Sequence, residues 1–126
     1  MYAFTFLYPR PKSRMFDYEY HRAVHMPMGL ALVKRDLGVE PAMFWIERID
    51  EGDPSSSEQY CAIVHLMFTD REARDRMVTS RINPAAAEKL RSDYDNFTDI
   101  APTIRISQVT MDEDIAGYID RFEGLG

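Results

Sequence analysis

Two histidines one helical turn apart are the residues of this sequence best suited to chemistry. His21 and His25 lie in the stretch 16–28, where apolar and polar residues recur with the spacing of an amphipathic helix. At about 100° per residue, His21 falls within the apolar side of the helix and His25 at its edge. Because an imidazole titrates near neutral pH, His25 is a candidate acid/base or a polar anchor for a ligand.

A proline interrupts this helix. Pro27 has no N–H for the carbonyl of Ala23, and it biases Met26 away from helical angles. The helix is therefore predicted to kink or restart just after His25. Two roles for His25 remain open, because it could orient a ligand or simply satisfy the carbonyl that the proline leaves free.

A metal or cofactor site is not indicated by the sequence. His21 and His25 could share a metal at their i, i+4 spacing, but the helical zinc pattern lacks its glutamate and no third ligand is evident. The single cysteine, Cys61, has no neighbour that would stabilise a thiolate and is interpreted as a small core residue. The sequence also lacks a serine elbow and a glycine-rich phosphate loop. We therefore expect neither metal nor cofactor.

Four further residues are candidates for a ligand-binding pocket. Tyr20 precedes His21 in the helix. Phe4 and Phe6 share one face of a strand whose residues alternate over 2–8. This aromatic face is interpreted as core or dimer interface, and it could also line a pocket. His65, in the middle of an apolar strand, is expected to be buried and hydrogen-bonded, with a pocket role as the alternative.

Length and charge limit the class of protein. A chain of 126 residues is one domain. Fifteen basic against twenty-one acidic residues give a formal net charge of -6, which argues against nucleic-acid binding. No apolar run approaches the roughly 18 residues of a membrane span. Pro9 and Arg10 interrupt the first apolar segment, so it is not a signal peptide, and a cytoplasmic protein is expected.

The order of predicted elements indicates the fold class. Strands are predicted over 2–8, 41–49, 60–68 and 103–110, with helices over 16–37, from a capping box at Thr69 and Glu72, and after Asn83-Pro84. This β-α-β-β-α-β order predicts an α+β, ferredoxin-like domain with an antiparallel sheet.

One face of such a sheet needs a partner. The helices cover only one face, and apolar strands leave the other face unsuited to water, so a homodimer through the sheet face is expected. The domain is predicted over 1–111. The tail over 112–126 carries apolar residues at helical spacing and is predicted to pack on the body or on the dimer partner.

Several short motifs together resemble the EthD family. They are Phe16-Asp17, Tyr20, His25-Met26-Pro27, Asn83-Pro84, Asn96-Phe97-Thr98-Asp99 and Pro102. Met28 departs from the pattern, where leucine is more usual. The resemblance covers the chain up to Met111. It implies a dimeric α+β barrel and an accessory role in degradation, since the family is named for the breakdown of ethyl tert-butyl ether. It supplies no set of catalytic residues.

Two functions follow from these features. The first is binding of a small, mostly apolar or aromatic molecule in a pocket between sheet and helix, as an accessory to the degradation of organic compounds. The alternative is a cofactor-free enzyme, of the isomerase, cyclase or monooxygenase type, that uses His25. An enzyme should bring at least two titratable groups together at its pocket, whereas a binding protein needs only a shaped apolar cavity.

Overall fold

A four-stranded antiparallel sheet forms the framework of the molecule. The structure is a computed structural model, and it describes residues 1–49 and 59–125. The strands are β1 (Tyr2–Pro9), β2 (Met43–Arg48), β3 (Tyr60–Phe68) and β4 (Thr103–Gln108). They lie in the order β2-β3-β1-β4, and every neighbouring pair is antiparallel. The alternating β1 and the apolar β3 form the two central strands, as expected for the segments with most to bury.

The helices follow the order predicted from the sequence. They are α1 (Tyr18–Tyr20), a π-helical turn (His21–His25), α2 (Met26–Leu37), α3 (Arg71–Val78), α4 (Pro84–Asp93), a 3-10 turn (Tyr94–Asn96) and α5 (Ile115–Leu125). With the sheet order, this confirms the α+β, ferredoxin-like fold class. Within the described residues, no helix is both long enough and apolar enough to cross a bilayer.

Most helix ends lie where the sequence places them. Gly38 ends α2 in the left-handed conformation, at φ 68°. Asn83 caps α4 just before Pro84, and its side-chain oxygen accepts a hydrogen bond from the amide N–H of Ala85. The cap of α3 is the exception. Asp70, rather than Thr69, is the cap residue, and its carboxylate accepts the amide N–H of Ala73. Aspartate caps a helix as well as a hydroxyl does, so the pattern alone did not distinguish the two neighbours.

The helix restarts just after His25, which is one of the two outcomes predicted from Pro27, because α2 begins at Met26. Met26 keeps helical angles (φ -63°, ψ -50°), and its amide donates to the carbonyl of His21, five residues back. This i to i+5 hydrogen bond defines a π-helical turn, which ends at His25, two residues before the proline. The missing N–H of Pro27 therefore falls at the start of α2, where Pro is well tolerated.

The aromatic face of β1 points towards the helices. Phe4 is 6% exposed and Tyr8 is 2% exposed, and both belong to the core with Val64 and Leu66 of β3. Phe6 packs against this core, with its ring centroid 5.2 Å from that of Phe4. Of the two interpretations of this aromatic face, core or dimer interface, the structure bears out core. The strand buries its larger side chains beneath its own helices.

The opposite face of the sheet carries a different set of residues. Thr5, Trp45 and His65 are adjacent in the strand register, and the rings of Trp45 and His65 stack at 4.6 Å. Met43 and Trp45 are 51% and 40% exposed on this face. In α5 the apolar side chains are also exposed, by 72%, 48%, 48% and 76% for Ile115, Tyr118, Ile119 and Phe122.

Candidate functional site

A cavity of about 240 Å³ lies between β1 and the helices. Its walls are mostly apolar, and the side chains that form them come from the aromatic face of β1, from α2 and from the α3–α4 region. The lining residues are Phe4, Phe6, Tyr8, His25, Met26, Gly29, Leu30, Val33, Leu66, Met77, Ser80, Ile82, Leu90 and Tyr94. Ligand sites of small molecules are typically apolar cavities with few polar groups, and this cavity has that composition.

The polar group of greatest interest in this wall is the imidazole of His25. The π turn places it against the end of α4, where its Nδ1 lies 2.8 Å from Oδ2 of Asp93. The carbonyl at the proline, which the sequence offered as a partner, is not the group that His25 binds. Its ring lies 4.7 Å from Phe97 and 5.4 Å from Tyr94, so it is held on several sides.

Asp93, itself buried, is the centre of a small hydrogen-bond network. The Tyr20 hydroxyl donates to Oδ1 of Asp93 at 2.6 Å, and Nδ2 of Asn96 donates to the same atom at 3.0 Å. Burial opposes ionisation of Asp93, but the hydrogen bonds from Tyr20, Asn96 and His25 outweigh it and lower the pKa of the carboxyl. Asp93 is therefore an anion at neutral pH and accepts from all three neighbours.

This network fixes the tautomer of His25. Burial lowers the pKa of His25, and the bond to Asp93 only partly offsets that effect, so the ring is neutral at neutral pH. Because the carboxylate accepts, Nδ1 carries the proton, and Nε2 is left as a lone-pair acceptor. Nε2 has no hydrogen-bond partner among the described residues, while the side chain lines the cavity. The site thus offers an oriented imidazole acceptor within mostly apolar walls, which also carry the hydroxyls of Tyr8, Ser80 and Tyr94.

His21 lies behind His25 rather than in the cavity. It is fully buried, its ring stacks on that of His25 at 5.7 Å, and the rings of Tyr8 and Phe16 pack against its edges. Neither ring nitrogen has a partner within the described part of the chain. Burial, with a smaller effect from His25, lowers the pKa of His21 to about 4. His21 is a neutral packing residue here.

Besides His21, the candidates from the sequence divide into three groups. Phe4, Phe6 and His25 line the cavity together. Tyr20 does not line the cavity and reaches the site through its hydrogen bond to Asp93 and through its ring, which stacks on Phe97. His65 lies on the opposite face of the sheet, with its Nε2 2.7 Å from Oε1 of Glu47, and does not line this cavity.

Sequence reasoning did not assign Asp93, Tyr94 or Asn96 to the site, although Asn96 belongs to the Asn96-Phe97-Thr98-Asp99 motif. One signal for Asp93 was present, because an acidic residue in the last turn of a helix is disfavoured by the helix dipole and needs a local reason. Here the reason is the network with Tyr20 and His25. Within the described residues, histidine, cysteine and acidic side chains nowhere form a group of three suited to a metal ion.

Solved structures of two other proteins resemble this one. An EthD-like protein from Ralstonia eutropha JMP134 is 24% identical, with 89% of this chain and 94% of that chain covered and a TM-score of 0.63. The fold is that of EthD-like proteins. An ethyl tert-butyl ether degradation (EthD) family protein from Bacillus halodurans C-125 is 17% identical over 87% of this chain and 99% of that chain, with a TM-score of 0.55. No protein-family model and no curated protein matches the chain.

The structural likeness agrees with the resemblance found in the sequence. At sequence identities of 17% and 24%, the structural likeness shows a shared fold and no more than that. What the cavity binds has to be argued from its own residues, because one fold serves many functions.

Proposed function

We propose that the protein binds a small, mostly apolar or aromatic molecule in the cavity between β1 and the helices. The observation that carries this proposal is the neutral His25, whose Nδ1 is held by Asp93 at 2.8 Å and whose Nε2 is left to accept a hydrogen bond. The apolar walls supply affinity, and the imidazole acceptor favours ligands that carry a hydroxyl or similar donor. An accessory role in the degradation of organic compounds, in the cytoplasm, fits the EthD-like fold and the single free cysteine.

A matched pair of probes tests the hydrogen bond. 1-Naphthol and naphthalene have the same ring system, and only naphthol can donate to Nε2. We expect naphthol to bind about tenfold more tightly, which corresponds to one net hydrogen bond. His25→Asn keeps a donor near the position of Nδ1 for Asp93 but removes Nε2, so it should abolish this preference. Fluorescence titration measures both affinities.

The control variant is His65→Asn, on the opposite face of the sheet. It makes the same chemical change outside the cavity, and the preference for naphthol should survive in it. A preference that persists in His25→Asn would remove His25 from the proposed role. Failure of both probes to bind the wild-type protein would contradict the apolar cavity itself as the binding site.

A second candidate function is favoured by the Asp93–His25 pair. A carboxylate that fixes the tautomer of an imidazole also stabilises the imidazolium that forms when Nε2 takes a proton. A cofactor-free isomerase, cyclase or monooxygenase could use His25 as such a base. Tyr8 and Tyr94 also line the cavity, but burial raises the pKa of both phenols, so they remain protonated donors. Chemical conversion of the bound molecule distinguishes this candidate from simple binding.

We also propose that a second copy covers the open face of the sheet. Met43 and Trp45 expose 51% and 40% of their surfaces there, beside His65. A homodimer would bury these side chains while leaving the cavity on the helix side in each subunit. The tail over 112–126 is proposed to pack on this partner or on the body, since the apolar side chains of α5 are otherwise exposed.

A further inference from the structure

The hydroxyls of two tyrosines are available to a molecule in the cavity between β1 and the helices. Tyr8 is 2% exposed, Tyr94 is half-buried, and both line the cavity together with His25. The hydroxyl of Tyr20 donates to Asp93 at 2.6 Å, whereas those of Tyr8 and Tyr94 bind no group in the described part of the chain. A buried hydroxyl in a protein normally has a hydrogen-bond partner. Two such hydroxyls at one cavity therefore point to a partner on a bound molecule.

These hydroxyls belong to the same part of the wall as the imidazole of His25. The ring of Tyr94 lies 5.4 Å from that of His25 and 6.5 Å from that of Tyr8. Burial raises the pKa of Tyr8, and the nearby Tyr94 and Asp93 raise it further, so its hydroxyl lies on the side of the wall that holds Asp93. Most of the other lining residues are apolar. The cavity therefore combines a polar cluster, formed by Tyr8, His25 and Tyr94, with apolar walls.

The polar cluster offers two donors and one acceptor. Because burial raises the pKa of Tyr8 and Tyr94, both phenols stay protonated at neutral pH and can donate. Nε2 of the neutral His25 can only accept, since Nδ1 carries the proton. An aromatic hydroxyl of a ligand can donate to Nε2, but its oxygen is a weak acceptor because its lone pair is delocalised into the ring. A carbonyl oxygen keeps two lone pairs for hydrogen bonds and is the better match to the two phenols.

We propose that Tyr8 and Tyr94 determine ligand specificity by donating hydrogen bonds to a carbonyl oxygen of the bound molecule. The inference rests on the proposed function, because it concerns the same cavity. It narrows the ligand to a neutral ring compound that carries a carbonyl group as well as a hydroxyl or N–H. The carbonyl accepts from the phenols, the hydroxyl or N–H donates to Nε2 of His25, and the ring packs on the apolar walls. A carboxylate is disfavoured, because its charge would be buried near the anionic Asp93.

Calorimetric titration with 1-acetonaphthone and 1-ethylnaphthalene tests the two phenols. The probes have nearly the same shape, and only acetonaphthone has a carbonyl. The double variant Tyr8→Phe/Tyr94→Phe keeps both rings, so it should bind acetonaphthone about tenfold more weakly than wild type and ethylnaphthalene equally well. Circular dichroism establishes that the variant is folded. Tyr2→Phe removes a phenol hydroxyl that does not line the cavity and should leave both affinities unchanged.

The outcomes separate this inference from the proposed function. It alone is overturned if the folded double variant binds acetonaphthone like wild type, if it loses affinity equally for both probes, or if Tyr2→Phe has the same effect. Failure of both probes to bind the wild-type protein would overturn the proposed function together with it. 1-Naphthoate should bind wild type at least tenfold more weakly than acetonaphthone. Equal affinities for these two would contradict a neutral carbonyl as the group that the phenols bind.

Discussion

Replacing Phe4 by Asp is expected to unfold the protein rather than to separate a dimer. Phe4 is 6% exposed and lies in the core beneath the helices. An unpaired carboxylate in such a place costs several kcal/mol, out of a total stability of about 5–15 kcal/mol for a domain. Thermal unfolding followed by circular dichroism should show no cooperative transition for this variant, or a strongly lowered melting temperature.

The matched substitution on the other face should behave differently. Trp45 is 40% exposed on the open side of β2, so Trp45→Asp should keep the fold while it prevents a second copy from covering this face. Light scattering should then report a monomer where the wild-type protein is a dimer. A cooperatively folded Phe4→Asp protein would contradict the placement of the β1 aromatics. A monomeric wild type at micromolar concentration would contradict the proposed dimer.

The second large effect is a loss of stability in mild acid that depends on His21. Burial lowers the pKa of His21 to about 4, against an ordinary value of 6.5 in the unfolded chain. Between these values the unfolded state binds a proton that the folded state does not, so stability falls as the pH falls from about 6.5 towards 4. The loss from this one group between pH 7 and pH 4.5 is about 2–3 kcal/mol.

His21→Phe should remove this part of the pH dependence. A phenyl ring can keep the contacts with Tyr8, Phe16 and Phe97 and cannot take up a proton. Urea unfolding of both proteins at pH 7 and pH 4.5 isolates the effect, because the carboxyl groups titrate in both. The wild type should lose about 2–3 kcal/mol more than the variant. Equal losses would mean that His21 is protonated at no cost in the folded state.

The fold was predictable because local patterns and global topology agree. Each of four local patterns specifies one element: the alternation in β1, the apolar run of β3, the Asn83-Pro84 start of α4 and Gly38 after α2. The order of the elements specifies the ferredoxin-like sheet. Which face of β1 turns towards the helices was less predictable. Alternation shows that Phe4 and Phe6 share a side, but the two faces of a strand look alike until the helices are placed.

The site was predictable only in part, for a physical reason. His25 could be singled out from its type and its place before Pro27. Its partner Asp93 lies 68 residues away, and nothing local in the sequence pairs the two. The π turn was also hidden, because the sequence places Pro27 but not the hydrogen bond by which Met26 reaches His21. A contact between distant residues, such as that of His25 with Asp93, is set by tertiary packing and cannot be read from residue spacing.

The most direct test of the proposed function is the ¹⁵N resonance of the His25 ring. In the free protein at pH 7, Nδ1 should appear protonated and Nε2 unprotonated, as the bond to Asp93 requires. Addition of 1-naphthol should shift Nε2 towards its hydrogen-bonded position, while naphthalene should leave it in place. An Nε2 that carries the proton in the free protein, or that responds equally to both probes, would contradict the proposed role of His25.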